Sequence, residues 1–83
     1  MSQGKLIEAE ELARKALAIS TKHLGAAHQR TINFSGNVGR MLIAQGEPEG
    51  KALVQQALGG LQAAGLPPSH PWIAKFNKVL ADA

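Results

Sequence analysis

Several short stretches carry residue types that could do chemistry. Gly46-Glu47-Pro48-Glu49-Gly50-Lys51-Ala52 has the glycines and the lysine of a phosphate-cradling loop. It is one residue short, ends in Ala where Ser or Thr would hold magnesium, and follows a helical pattern where a strand is needed. Gly36-Asn37-Val38-Gly39 has the form of a four-residue RNA-backbone clamp, but it too sits inside a helical pattern with no flanking strands. His23, His28 and His70 are the candidate metal ligands, and no acidic residue accompanies His28 or His70. Loop or helix-capping roles are expected for these histidines, and no metal site. Asn33-Phe34-Ser35 satisfies a glycosylation pattern that has meaning only in a secreted chain. No Ser or Thr pairs with a His and an acid at a spacing that would activate a nucleophile. The expectation is a non-enzyme with no catalytic residue, no metal and no cofactor.

The elements that position these residues are helices. Two Phe, one Trp and no Tyr leave a core built from Leu, Ile, Val and Ala, which suits helices more than sheets. The absence of cysteine excludes a disulfide framework and fits a reducing compartment, so a cytoplasmic location is expected. No run approaches the roughly 18 apolar residues of a membrane span. The opening MSQGKLIEAEE turns acidic where a signal peptide would turn apolar. Nine Lys and Arg against six Asp and Glu give a net charge of +3. The cations are scattered, and Arg14 and Lys15 follow Glu10 and Glu11 by four residues, the spacing of ion pairs on a solvated helix face. Nonspecific nucleic-acid binding through this basic surface is the alternative reading of function, and a less favoured one.

Leu6, Ala9, Ala13, Ala16 and Leu17 recur at helical spacing, widened by Leu12 and Ile19, and predict one helix of about 18 to 20 residues ending at Leu24-Gly25. Phe34, Val38, Met41 and Leu42 predict a second, capped at Gln45-Gly46. Pro48 suits the first turn of a third, whose apolar face is Leu53, Val54, Ala57, Leu58 and Leu61 and whose last turns Gly59-Gly60 should weaken. After Gly65-Leu66-Pro67-Pro68, Ser69 or His70 is the expected N-cap of a fourth helix that starts at Pro71 and carries Trp72, Ile73, Phe76, Val79 and Leu80.

An internal repeat relates these helices. A shift of 42 residues lays Gln3-Gly4 on Gln45-Gly46, Ile19 on Leu61, Leu24 on Leu66, His28 on His70, Phe34 on Phe76 and Val38 on Leu80. Between these anchors a shift of 41 matches Leu12 to Leu53 and Ala16-Leu17 to Ala57-Leu58. A two-helix period of this size is the mark of a solenoid, in which each unit buries its face against its neighbours.

The residues Gln3 to Glu10, Ala16 to Ile19 and Leu24 to His28 resemble the second helix and outgoing loop of a tetratricopeptide repeat of the longer, kinesin-light-chain-like variety. Asn37-Val38-Gly39 with Leu42 and Gln45-Gly46 resembles its first helix. The resemblance implies an all-α fold of four antiparallel helices in a right-handed solenoid, a single domain over 1–83. Chain order would be second, first, second, first helix, with one complete repeat in the centre and both ends cut mid-unit. It implies a protein-interaction module or scaffold whose first helices line a concave groove. The groove positions fall on Asn33, Gly36, Asn37, Arg40 and Ile43, continuing to Lys75 and Lys78. Asn amides there can hold a peptide backbone, and Arg or Lys can meet its acidic groups, so an acidic or C-terminal peptide is the expected ligand. A short solenoid also leaves apolar faces open at its ends. Self-association as a homo-oligomer, or membership of a longer array, is expected through Leu6, Leu12 and Leu17 at one end and Trp72, Phe76 and Leu80 at the other.

Overall fold

Histidines mark the starts of two helices, and glycines with positive φ follow the ends of three. In the computed structural model, which describes residues 3–82, four helices account for most of the described residues: α1 (Gln3–Leu24), α2 (Gln29–Ala44), α3 (Glu49–Ala63) and α4 (Pro71–Asp82). His28 stands before α2 with extended backbone, and its ring Nδ1 accepts from Arg30 N–H at 3.1 Å. Forty-two residues later His70 repeats the arrangement before α4, its Nδ1 accepting from Trp72 N–H at 3.1 Å. Each ring thereby satisfies one of the amides that a helix start leaves without an intrahelical partner. The expected capping roles of His28 and His70 are therefore met, and His70, not Ser69, is the cap.

α2 ends in a glycine-capped turn. Gly46 takes φ of +80°, its N–H donates to Ile43 O at 2.9 Å, and Glu47 N–H donates to Leu42 O at 2.8 Å. α3 ends in the same way: Gly65 N–H reaches Gln62 O and Leu66 N–H reaches Leu61 O, and Leu61 and Leu66 then share the core. Pro48 lies one residue ahead of α3 and not within its first turn.

Consecutive helices pack against one another, and α2 also touches α4. This is an all-α helical repeat, as the sequence predicts. The core lies around α3: Val54, Ala57 and Leu61 meet Leu66 of the loop and Ile73 and Phe76 of α4, with Ile32, Ile43, Leu58, Trp72, Val79 and Leu80 packed around them. Val38 and Leu42 of α2 are buried as well. α2 and α3 approach to backbone contact. A Cβ added at Gly39 would lie 2.8 Å from Gly50 O, and one added at Gly50 would lie 2.6 Å from Gly39 O. Only glycine fits at either position.

α3 runs continuously through Gly59-Gly60, where Gly60 faces Ile32, whose carbons lie 3.3 Å from the place a Cβ would take. Each glycine costs roughly 1 kcal/mol inside a helix. One expectation drawn from the repeat changes, at its anchors. Gly4 lies inside α1 whereas Gly46 lies in a turn, so that sequence match joins two different conformations. Leu61 is buried while Ile19 is 60% exposed, and it is Ser20 that fills the counterpart position, at the 41-residue shift. Likewise Leu66 is buried and Leu24 is exposed.

Candidate functional site

α2 and α4 lie side by side, and the polar residues on their facing sides converge. Lys75 on α4 reaches across to α2, where its Nζ donates to Asn33 Oδ1 at 2.9 Å and to Asn37 Oδ1 at 3.1 Å. Arg40, one turn along α2 from Asn37, donates through Nη1 to the same Asn37 Oδ1 at 3.4 Å. The ammonium of Lys75 also sits 4.6 Å from the centre of the Phe76 ring. The helical spacing of 33, 37 and 40 places these three side chains on one stripe of α2, and Lys75 closes the cluster from the neighbouring helix.

The electrostatics are unbalanced. Two cations share amide oxygens, and among the described residues the ion pair present is Arg14–Glu10 at 2.6 Å, on α1. The Lys75 ammonium is held below its usual pKa, first by partial burial and then by the neighbouring Arg40 charge. Both causes disfavour the charged lysine. An anion placed between Lys75 and Arg40 would reverse the second and compensate the first. The Asn33 and Asn37 side-chain oxygens both accept from the cations, Asn33 from Lys75 and Asn37 from Lys75 and Arg40.

Of the seven residues the resemblance assigned to a groove, the structure brings Asn33, Asn37, Arg40 and Lys75 into one hydrogen-bonded cluster. Asn33 is 9% exposed, and its side-chain oxygen fixes Lys75. Ile43 lies further along, half-buried against the core, where it lines a cleft with Leu6, Arg40, Met41, Val79 and Asp82. Lys78 is exposed on α4, three residues beyond Lys75, and takes part in no hydrogen bond of the cluster. Gly36 is not a groove-lining position. It lies beneath the Phe76 ring, whose Cε atoms stand 2.8 Å from where a Cβ would be.

That contact also corrects the reading of the ends. Phe76 is 0% exposed and belongs to the core, so it is closed to a partner chain. Trp72 and Leu80 are half-buried against the same core, with Trp72 edge-on to His70 at 5.1 Å. Leu17 is half-buried and lines a cleft toward α2 and α3, and Leu6 faces the α2–α4 cleft. Leu12, at 66% exposed, is the one of the six that stands free.

Sequence reasoning missed two features. Ser20 and Thr31 are buried and joined by a hydroxyl–hydroxyl bond of 2.7 Å between α1 and α2. Glu10 of α1 accepts from Gln45 Nε2 at 2.7 Å as well as from Arg14. The two hydrogen bonds and the adjacent charge hold the Glu10 carboxyl below the usual carboxylate range. A signal for the first was present: Ser20 and Thr31 stand at the repeat positions of Leu61 and Ile73, polar where the other unit is apolar.

A helical-repeat protein is what this fold and site define. Comparison with protein families gives the particular repeat: residues 1–30, which include α1 and the capped start of α2, match the family model of the tetratricopeptide repeat. The match suggests a protein-interaction module, and repeats of this kind are generally non-catalytic. No curated protein and no solved structure matches the chain. No helix among the described residues is long and apolar enough to cross a membrane.

Proposed function

We propose that the chain is a tetratricopeptide-type interaction module that binds an extended acidic or C-terminal peptide segment in the groove between α2 and α4. The observation that carries this reading is the Lys75–Asn37–Arg40 arrangement, two cations converging on one amide oxygen with no carboxylate among the described residues in hydrogen-bond contact with either. A peptide carboxylate seated there accepts from Lys75 and from the Arg40 guanidinium, which offers a two-pronged donor. The NH2 groups of Asn33 and Asn37 then reach the peptide backbone. The kinesin-light-chain-like variety is supported by the period of about 42 residues seen in the paired caps His28 and His70.

Isothermal titration against acidic and C-terminal peptides tests the groove. Arg40→Glu combined with Asn37→Ala is expected to abolish binding, since it replaces a donor by a like charge to the ligand. Lys75→Met is expected to weaken binding by about 10-fold or more, as loss of one partner of a charge-assisted bond does. Binding of undiminished strength in the double variant overturns the assignment.

A further inference from the structure

The two helices that carry the groove cluster, α2 and α4, both begin on a histidine, and α3 does not. At the start of α2 the His28 ring Nδ1 accepts from Arg30 N–H, and at the start of α4 the His70 ring Nδ1 accepts from Trp72 N–H, each at 3.1 Å. Pro48, in the same place before α3, makes no side-chain cap bond. An imidazole nitrogen accepts only through an unprotonated lone pair, so each bond requires a ring whose Nδ1 carries no proton. We propose that His28 and His70 form a paired pH switch, which holds the starts of α2 and α4 at neutral pH and releases both when the rings become protonated.

Protonation acts twice at each start. It turns the Nδ1 acceptor into an N–H donor that faces another N–H, so the bond is lost and the amide of Arg30 or Trp72 is left to water. It also sets a positive charge at the positive end of the helix dipole, where an anion would be favoured. The surroundings do not offset that charge. α1 ends on Lys22 and His23 before the loop that leads to the first ring, and α2 carries Arg30 in its first turn. α3 has no titratable side chain between Ala52 and Ala63, and neither has the loop from Ala64 to Ser69 that leads to the second ring. The first charge along α4 is Lys75, and the His70 ring lies edge-on to Trp72, with centroids 5.1 Å apart. Neither ring forms an ion pair with a carboxylate among the described residues.

His23 provides a contrast within the same chain. It stands in the last turn of α1, the negative end of a helix, where a protonated ring is favoured. The two caps contribute stability that is present above the imidazole range of roughly pH 6 to 7 and is lost as pH falls through it. That window lies above the carboxylate range in which Glu10 becomes protonated. Each cap contributes about fivefold to the folding equilibrium constant, the usual effect of a helix cap. The consequence for binding rests on the groove reading. Asn33 and Lys75 stand on the second turns of the two helices, so loosening both starts weakens peptide capture at mildly acid pH, even though acid keeps Lys75 charged.

Urea unfolding of the full chain between about pH 7.5 and 5.5 tests the switch with no peptide present, so its failure is distinct from failure of the groove. The folding equilibrium constant of the wild type is expected to fall about 20-fold across this range. His28→Asn combined with His70→Asn places at both starts a cap that does not titrate, and its constant is expected to hold. His23→Gln is expected to leave the wild-type fall in place. A wild-type constant that does not change, or a fall that survives in the double asparagine variant, overturns the proposal. Nuclear magnetic resonance of the wild type decides it should that variant unfold. The Arg30 and Trp72 amide signals are expected to move in step with the His28 and His70 ring signals. The fluorescence of Trp72, the one tryptophan of the chain, should follow the same course. Amide signals that stay in place while the rings titrate overturn the proposal as well.

Discussion

The junction of α1 with α2 and the junction of α3 with α4 are the same connection built twice, and they are held together by different means. Both second helices of these pairs begin on a histidine cap of equal geometry. Past the cap, Ile73 and Phe76 in α4 meet Leu61, Ala57 and Val54 in α3, all buried. The counterparts in the first junction are Thr31 and Phe34 facing Ser20, Ala16 and Ala13. Thr31 and Ser20 replace an apolar contact by one hydrogen bond, and Phe34 is only half-buried, its ring lining an open cleft with Ala16, Ile19 and Leu24. The backbone arrangement survives the change because a hydroxyl pair satisfies itself when buried. The energetic consequence is asymmetry. α3 and α4 share a core of fully buried apolar side chains, whereas α1 meets the rest through small side chains, the half-buried Leu6 and Leu17, one buried hydroxyl pair and the Glu10–Gln45 bond. α1 is the element expected to open first.

The largest effect that can break this comparison is at the two phenylalanines. Phe76→Ala removes a fully buried ring seated on the Gly36 backbone and is expected to destabilise by about 3–5 kcal/mol, whereas Phe34→Ala should cost about 1–2 kcal/mol. Denaturant unfolding of the two variants decides it, and equal losses would remove the asymmetry.

The hydroxyl pair provides a finer test. Thr31→Val leaves the Ser20 hydroxyl buried without a partner and is expected to cost about 1–3 kcal/mol, while Ser20→Ala combined with Thr31→Val should be nearly neutral. A double variant as unstable as the sum of the two single ones would show that the pair is not coupled.

How much of this was legible beforehand differs between the two junctions. The four helices, their caps and the core of α3 and α4 follow from periodicity, because Leu, Ile, Val and Phe at helical spacing leave few ways to be buried. The clustering of Asn33, Asn37, Arg40 and Lys75 was legible only through the family resemblance, since nothing in local sequence brings position 75 to position 33. Phe76 and Gly36 were misread for a related reason. The apolar stripe of the last helix looks open to a partner chain, and a small residue on a helix face looks open, until the neighbouring helix is in place. Gly50 gave no local sign of its contact with Gly39, and the Ser20–Thr31 bond depends on a distance across two helices that spacing does not encode.

The smallest expected effect is a dependence on pH. Glu10 has its carboxyl held below the usual range by Arg14 and Gln45, so the folded state favours its charged form. The stabilisation this gives is fully present above the usual carboxylate range and is lost as pH falls through it toward the lowered folded value. Amide hydrogen exchange should show α1 losing protection over that acidic window before α3 and α4 do. Simultaneous loss across all four helices would place the Glu10 tether outside the account.

The central claim, that the cations of the α2–α4 groove receive an anionic peptide, is tested most directly by side-chain nuclear magnetic resonance during titration with an acidic C-terminal peptide. The account predicts that the Asn33 and Asn37 amide, Arg40 guanidinium and Lys75 ammonium signals shift together at the same peptide concentration, with the Lys75 pKa rising toward its ordinary value as the carboxylate arrives. Shifts confined to other helices, or a Lys75 pKa that does not move when peptide binds, would contradict it.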